Sequence, residues 1–233
     1  MEAIQIEKKR AVSPQKPLLP YTFEARLGLP AVMRLPASFD DFVELMVMCD
    51  YKVEYSNGDI VSILETQPEN KNIIMGLATL THEQLVMYIG AALLNVFPSD
   101  EDFTVLGSNV PTFIADGMKT YNPDVVAVKD APQTKPYKFK VKTQEVLTNP
   151  WLVVEVLSQG TREYDLIEKF ANYRRVPSLQ HIVFVEQYWT EITVYSRQPD
   201  GLWSSVILEE WEHSFPIAKG IIKLSDIYRK IKF

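Results

Sequence analysis

Trp151-Leu152-Val153-Val154-Glu155-Val156-Leu157 is an apolar run interrupted by a single acid. A run this short and this continuous reads as a central strand covered on both faces, since a half-exposed strand would alternate. A carboxylate inside such a strand costs several kcal/mol unless it is paired or holds a cation. Glu155 therefore has two readings. It is a salt-bridged residue in the core or at the strand's water-facing end, or it is a ligand with a function.

Downstream of this strand, residues 162–176 read as a helix that ends before Pro177. Leu166, Phe170 and Tyr173 form its apolar stripe, with Lys169 beside the stripe. Residues 182–185 make a second buried strand, and residues 192–195 and 202–208 flank the turn Pro199-Asp200-Gly201. Residues 225–231 make a closing helix. Upstream, residues 124–128 form a short strand, and 103–114 are strand-like with breaks at Gly107 and Pro111. Leu85, Ile89, Ala92, Leu93 and Val96 give residues 81–97 a helical period. Residues 51–55 and 60–64 enclose Ser56-Asn57-Gly58-Asp59, a hairpin signature. Ser38 before Asp40 and Asp41 marks a helix start. Residues 65–72 read as a polar loop or insertion and 131–149 as a long connection.

This order predicts an α/β fold of the α+β kind, with a central mixed sheet flanked by helices and a C-terminal β-hairpin. The proline-rich stretch 1–37, with Lys8-Lys9-Arg10, is expected to be an extended or partly disordered arm, and 38–233 a single domain.

The 233 residues are 46% hydrophobic and 23% charged, the balance of a soluble globular protein that builds a core without staples. Cys49 is the sole cysteine, so an internal disulfide and a cysteine-based zinc site are both excluded, and a reducing cytoplasmic location fits. No run approaches the roughly 18 apolar residues that span a bilayer, and no signal peptide is expected. A net charge of −6 argues against nonspecific binding to nucleic acid, but it permits a local basic strip. Lys135, Lys138, Lys140 and Lys142 cluster with Tyr137 and Phe139, and Arg174 and Arg175 close the helix that carries Lys169. Either group could contact phosphates, or be a solvated loop and a cation-favouring helix end.

Asp124 is the second acid of interest. Asn122-Pro123-Asp124 precedes apolar Val125-Val126-Ala127-Val128, which places the carboxylate at the sheet's edge, open to solvent. Alone it reads equally as an Asx turn. Beside Glu155 on a neighbouring strand it makes an oxygen-ligand site suited to Mg²⁺, with Mn²⁺ as a substitute, leaving positions for water and phosphate. Lys169 could orient an attacking water or offset charge on the phosphate, or be a solvated lysine paired with Asp165 four residues earlier.

Taken together, Pro123-Asp124-Val125, Leu152-Val153-Val154-Glu155-Val156-Leu157-Ser158, Thr161, Asp165, Lys169, Tyr173 and Pro177 resemble the family described as putative restriction endonucleases. That family is abundant in cyanobacteria and belongs to the PD-(D/E)XK nuclease superfamily. The helix from Phe39, the hairpin of Val53-Glu54-Tyr55 and Thr81-His82-Glu83 match in order, and residues 152–173 are the most specific block. The resemblance implies a restriction-endonuclease-like core and a metal-dependent endonuclease hydrolysing DNA, with Asp124 and Glu155 as metal ligands. The superfamily's usual lysine, two residues after the second acid, is replaced by Leu157, which makes Lys169 its counterpart. His82 matches a histidine near the start of the first core helix and Glu54 the hairpin acid; both join the candidate catalytic residues. His82 could equally serve as a local helix-capping group. Gln159-Gly160 stands where the family reads Pro-Ser. A catalytically silent nuclease fold that binds nucleic acid or a protein partner is the alternative. A homodimer is expected, because cutting both strands of a duplex calls for two sites and symmetric pairing is the commonest way to obtain them.

The reading makes a geometric prediction. The Asp124 and Glu155 carboxylates should lie within about 6 Å of each other, with the Lys169 nitrogen in the same cleft. Their placement on opposite faces of the sheet would refute it.

Overall fold

The computed structural model describes residues 18–64, 79–97, 102–114 and 119–233. The first half runs α1 (Phe23–Leu27), β1 (Val32–Pro36), α2 (Phe39–Met48), β2 (Glu54–Ser56), β3 (Asp59–Ile63) and α3 (Leu80–Val96). Five strands follow: β4 (Phe103–Leu106), β5 (Thr112–Ile114), β6 (Lys119–Tyr121), β7 (Val125–Lys129) and β8 (Thr134–Phe139). Then come β9 (Lys142–Leu147), β10 (Leu152–Leu157), a π-helical segment (Tyr164–Lys169) and α4 (Phe170–Tyr173). The chain closes with β11 (His181–Glu186), β12 (Ile192–Arg197), β13 (Trp203–Leu208), β14 (Ser214–Ile217), β15 (Gly220–Lys223) and α5 (Leu224–Tyr228).

The strand that opened the sequence reading, β10, is buried along its whole length. It lies inside a six-stranded sheet of order β13-β12-β11-β10-β7-β4. Its pairing is parallel to β11 and antiparallel to β7, so the sheet is mixed, as expected. Side chains of a strand alternate between faces. Leu152, Val154 and Val156 enter a core with Leu85, Ile89 and Leu93 of α3 and with Ile227 of α5. Val153 and Leu157 enter a second core with Tyr173 and Val176 beyond the opposite face. Glu155 therefore shares the face of the π-helical segment and α4. Each fully buried valine or leucine here contributes about 1.5–3 kcal/mol, which is what holds the strand at the centre.

The stretch 131–149, expected as a connection, forms the hairpin β8–β9. It ends a second, seven-stranded sheet of order β1-β3-β2-β6-β5-β9-β8, whose β2–β3 hairpin turns through Asn57 and Gly58 with φ of 54° and 91°. Both left-handed values suit the Asn-Gly pair read from the sequence. Under this sheet Phe42 and Leu45 of α2 pack on Tyr55 and Ile60, forming a third core. Ser38 caps α2 in a reciprocal box with Asp41.

Three expectations need correction. Within the stretch read as an arm, residues 18–37 hold α1 and β1, and β1 pairs antiparallel with β3. Arg26 is fully buried there, bonded to Ser62 Oγ at 2.8 Å and to the Pro30 carbonyl at 2.7 Å. Proline kept these residues out of a long helix but did not prevent an edge strand. The helix expected over 162–176 starts at residue 162 but widens into a π-helical segment from Tyr164 to Lys169 and ends at Tyr173, because the 3.6-residue period of its apolar stripe is blind to one inserted residue. The closing helix ends at Tyr228, three residues short of the expectation. Residues 1–17, with Lys8-Lys9-Arg10, and the polar stretch 65–72 lie outside the described residues. No helix of the described residues is long and apolar enough to cross a membrane.

The end of α3 abuts β15 so closely that a Cβ on Gly220 would stand 2.5 Å from Val96 Cβ and 2.8 Å from the Val96 carbonyl oxygen. Gly220→Ala should force the two apart and destabilise the fold by about 1–3 kcal/mol. A thermal melt should show this as a drop of several degrees, and an unchanged melting temperature would mean the contact has slack.

Candidate active site

Asp124 immediately precedes β7. The antiparallel register pairs Val125 with Val154, and one further step along it brings Asp124 opposite Glu155. Directly opposed residues of an antiparallel pair share a face. The two acids therefore meet on one side of the sheet, as the sequence reading required. The Asp124 N–H donates to the Val154 carbonyl at 3.0 Å, and its Oδ2 accepts the Val156 N–H at 2.8 Å. The side chain thus takes over a ladder bond and is pinned by the backbone of β10. It is not open to solvent as expected: Asp124 is 7% exposed, packed against His82 of α3 and the backbone of β10.

Asp124 Oδ1 faces His82 Nε2 at 3.2 Å and Lys52 Nζ at 3.9 Å. Burial pushes this carboxyl up, but the His82 hydrogen bond and the charges of His82 and Lys52 outweigh it. The group is held below the ordinary aspartate range. His82 reaches Asp124 from the first turn of α3, where its own N–H donates to the N-cap Thr79 Oγ1 at 3.0 Å. The capping group is therefore Thr79 and not the histidine, whose ring faces Asp124.

Glu155 is 3% exposed. Its Oε1 accepts from Tyr173 Oη at 2.5 Å and from Lys169 Nζ at 3.2 Å. Burial raises its pKa well above the usual glutamate value; Lys169 opposes this, and Asp165, Asp124 and Glu54 add to it. Lys169 is 6% exposed, contrary to a solvated lysine. Its Nζ lies 3.0 Å from Asp165 Oδ1, 3.2 Å from Glu155 Oε1 and 3.3 Å from Glu54 Oε1. Burial disfavours the ammonium, but the three carboxylates overcome it and hold Lys169 charged. The pairing with Asp165 is therefore present, but buried and shared. Glu54 Oε1 also accepts the Asn122 N–H at 2.8 Å, tying β2 to the segment before β7.

The helix turn carrying Lys169 is wider than an α-turn. The Phe170 N–H donates to the Asp165 carbonyl, five residues back. Such π-turns gather at functional sites. Here Asp165 and Lys169 are both buried at the acids, while Tyr173 still reaches Glu155 one turn on.

Glu54, His82, Asp124, Glu155, Asp165 and Lys169 line one cavity of about 500 Å³, together with Lys52, Asn122 and Tyr164. Among the described residues no group of three or more His, Cys, Asp or Glu side chains is placed to hold a metal ion. Two converging carboxylates nevertheless suit Mg²⁺, which is usually held by one or two carboxylates with water and phosphate completing its shell.

Lys138 in β8 and Lys140 in the following turn, with φ of 53°, are exposed. Arg174 and Arg175 are exposed beyond α4, Arg174 over the Phe170 ring at 4.8 Å. None of the four lines the cavity. Sequence reasoning passed over Lys52 and Tyr164, and it gave Asp165 and Tyr173 no place at the metal site. Lys52 had an available signal, its spacing of two from Glu54, which puts both on one side of an extended chain. Tyr164 had none, since only the π-turn aims it.

A family model described as Uma2, "Putative restriction endonuclease", matches residues 39–221. An uncharacterized protein of Synechocystis sp. is 27% identical over 152 residues, covering 65% of this chain and 76% of that protein. A second from the same organism is 42% identical over 62 residues, covering 27% of this chain and 33% of its own length. The crystal structure described as a putative nuclease belonging to DUF820 from Anabaena variabilis superposes with a TM-score of 0.59 at 13% identity. It covers 83% of this chain and 98% of that one, a likeness of fold.

Charge counting at Lys169 predicts opposite effects of two substitutions in a chelator. Glu155→Gln leaves Lys169 paired with Asp165 and Glu54 and removes one acid from a crowded group. Stability should stay level or rise by about 1 kcal/mol. Lys169→Met leaves three carboxylates uncompensated and should cost about 3 kcal/mol or more. Paired thermal melts measure both signs, and a large loss in the glutamine variant would make Glu155 a structural anchor.

Proposed function

The chain belongs to the Uma2 family, and on that premise we propose that it is a nuclease that hydrolyses DNA phosphodiester bonds with a divalent cation, Mg²⁺ or in its place Mn²⁺. The observation that carries this reading is the convergence of Asp124 and Glu155 from adjacent antiparallel strands in one cavity, with the Lys169 ammonium 3.2 Å from Glu155.

Asp124 and Glu155 would hold the cation. When bound, it would lower the pKa of a water ligand and offset charge on the scissile phosphate. The Val156 N–H and His82 keep Asp124 ionised and turned toward the cavity. Tyr173 and Lys169 fix the Glu155 rotamer from the other side. Lys169 would orient the attacking water or offset charge that builds on the phosphate oxygens. In the reaction the water oxygen bonds to phosphorus, one ester P–O bond breaks, and the departing oxygen takes up a proton. His82 is the side chain here suited to carrying a proton near neutral pH. Glu54 acts indirectly, holding Asn122 and Lys169 in place.

Lys138, Lys140, Arg174 and Arg175 would meet phosphates flanking the cut, and in doing so make binding salt-dependent. A symmetric dimer would bring one cavity to each strand of a duplex.

A plasmid-nicking assay tests the proposal. Nicking should require Mg²⁺ or Mn²⁺, stop in EDTA, and fall by about a hundredfold or more in Asp124→Asn, Glu155→Gln and Lys169→Met. Cleavage that persists in EDTA or in Asp124→Asn would sink the reading. Metal-independent DNA binding without cleavage would favour a silent nuclease fold.

A further inference from the structure

Tyr164 opens the π-helical segment one residue before Asp165 and lines the cavity with Asp124, Glu155 and Lys169. Its ring is held by packing and charge. The Arg34 guanidinium lies 5.7 Å from the ring centroid, the Lys169 ammonium 5.4 Å, and the Tyr121 ring stands edge-on at 6.1 Å. All three contacts are made by the ring, and a phenylalanine would keep them. The hydroxyl is buried and has no hydrogen-bond partner among the described residues.

Its neighbours differ. The Tyr121 hydroxyl is bonded to Ser56 Oγ and to Asn172 Nδ2, each at 2.7 Å, and the Tyr173 hydroxyl to Glu155 at 2.5 Å. Around the same helix, then, the fold satisfies two tyrosine hydroxyls and leaves a third, on a residue that lines the cavity, buried without a partner among the described residues. An unbonded buried hydroxyl is unfavourable, so its presence needs a reason outside the fold's own bonding. A neutral O–H near an ammonium group is suited to an anionic oxygen, which both can serve at once.

We propose that Tyr164 is a substrate-contacting residue whose hydroxyl donates a hydrogen bond to a non-bridging oxygen of the phosphate in the cavity, beside Lys169. This rests on the phosphodiesterase reading above. No proton is transferred. The bond shortens as negative charge gathers on the phosphate oxygens during attack, so its effect falls on turnover more than on substrate capture.

Tyr164→Phe in the full chain tests it by two independent readouts. In chelator the variant should melt at or above the wild-type temperature, because only an unbonded hydroxyl is lost. With Mg²⁺, kcat for nicking should fall about a hundredfold while KM moves little. An unchanged kcat would overturn the contact and leave the nuclease reading standing. A melting temperature several degrees lower, with activity lost only in proportion to folded protein, would make the hydroxyl structural. Should wild type not cut at all, the nuclease reading fails, and the contact is judged by calorimetric titration of a phosphorothioate-linked dithymidine in Ca²⁺, with inorganic phosphate as a second probe. Roughly tenfold weaker binding of the dinucleotide by the phenylalanine variant supports it. A matching loss for inorganic phosphate would assign the contact to phosphate of either source. Equal binding of both probes by the two proteins, or no binding by wild type, overturns it.

Discussion

Lys169 is buried with its ammonium between 3.0 and 3.3 Å from carboxylates on three elements: Asp165 on its own π-turn, Glu155 on β10 and Glu54 on β2. β10 belongs to the six-stranded sheet and β2 to the seven-stranded one. A buried ammonium left unpaired is costly, and so is a buried carboxylate. The pairing therefore constrains where the two sheets meet, and the cavity lies where it does as a consequence. The group is also unbalanced toward negative charge. Burial with Asp165, Asp124 and Glu54 nearby drives Glu155 well above its ordinary range, whereas Asp124, bonded to His82 and the Val156 N–H, is driven below its own. Two acids one cross-strand step apart are thus set to opposite proton affinities, a pattern typical of sites that perform chemistry.

The π-turn makes the arrangement possible. Because its Phe170 N–H reaches back five residues, Asp165 and Lys169 turn inward while Leu166, Phe170 and Tyr173 still pack on the six-stranded sheet. Its outer side is tied down by Glu168, which accepts from Arg34 of β1 at 2.6 Å and from Asn57 of the β2–β3 turn at 3.2 Å. The edge of the seven-stranded sheet, including a strand from the stretch read as an arm, so braces the helix that carries the lysine. At the other end of the site, Thr79 donates to Gln187 at 2.8 Å and accepts the His82 N–H. Gln187 in turn donates to the Leu157 carbonyl, so the start of α3 is moored to the end of β10.

Much of this was legible in local patterns. The unbroken apolar run of β10, the Asn-Gly turn, the Ser38 cap and the period of α3 each reflect one element's own backbone chemistry and burial. Each is present within a residue or two of its expected place. The hairpin β8–β9 was missed because Lys135, Lys138, Lys140 and Lys142 are exposed on an edge hairpin whose polar alternation resembles a loop. The depth of Asp124 was missed because Pro-Asp before a strand signals a turn, and its side chain is enclosed by His82 of α3 and the backbone of β10, both distant in sequence.

By itself the sequence determined the mixed core sheet and singled out Glu155, because strand and helix periods are local and a charge within an apolar run has few explanations; Asp124 and Lys169 stood out only through the family resemblance. Only the tertiary structure decided that Lys169 is buried rather than solvated and that Lys52 and Tyr164 share its cavity. Those facts depend on which faces of two sheets are brought together, and on one extra residue in a helical turn. Long-range packing and ion pairing settle both, and no single stretch of sequence encodes either.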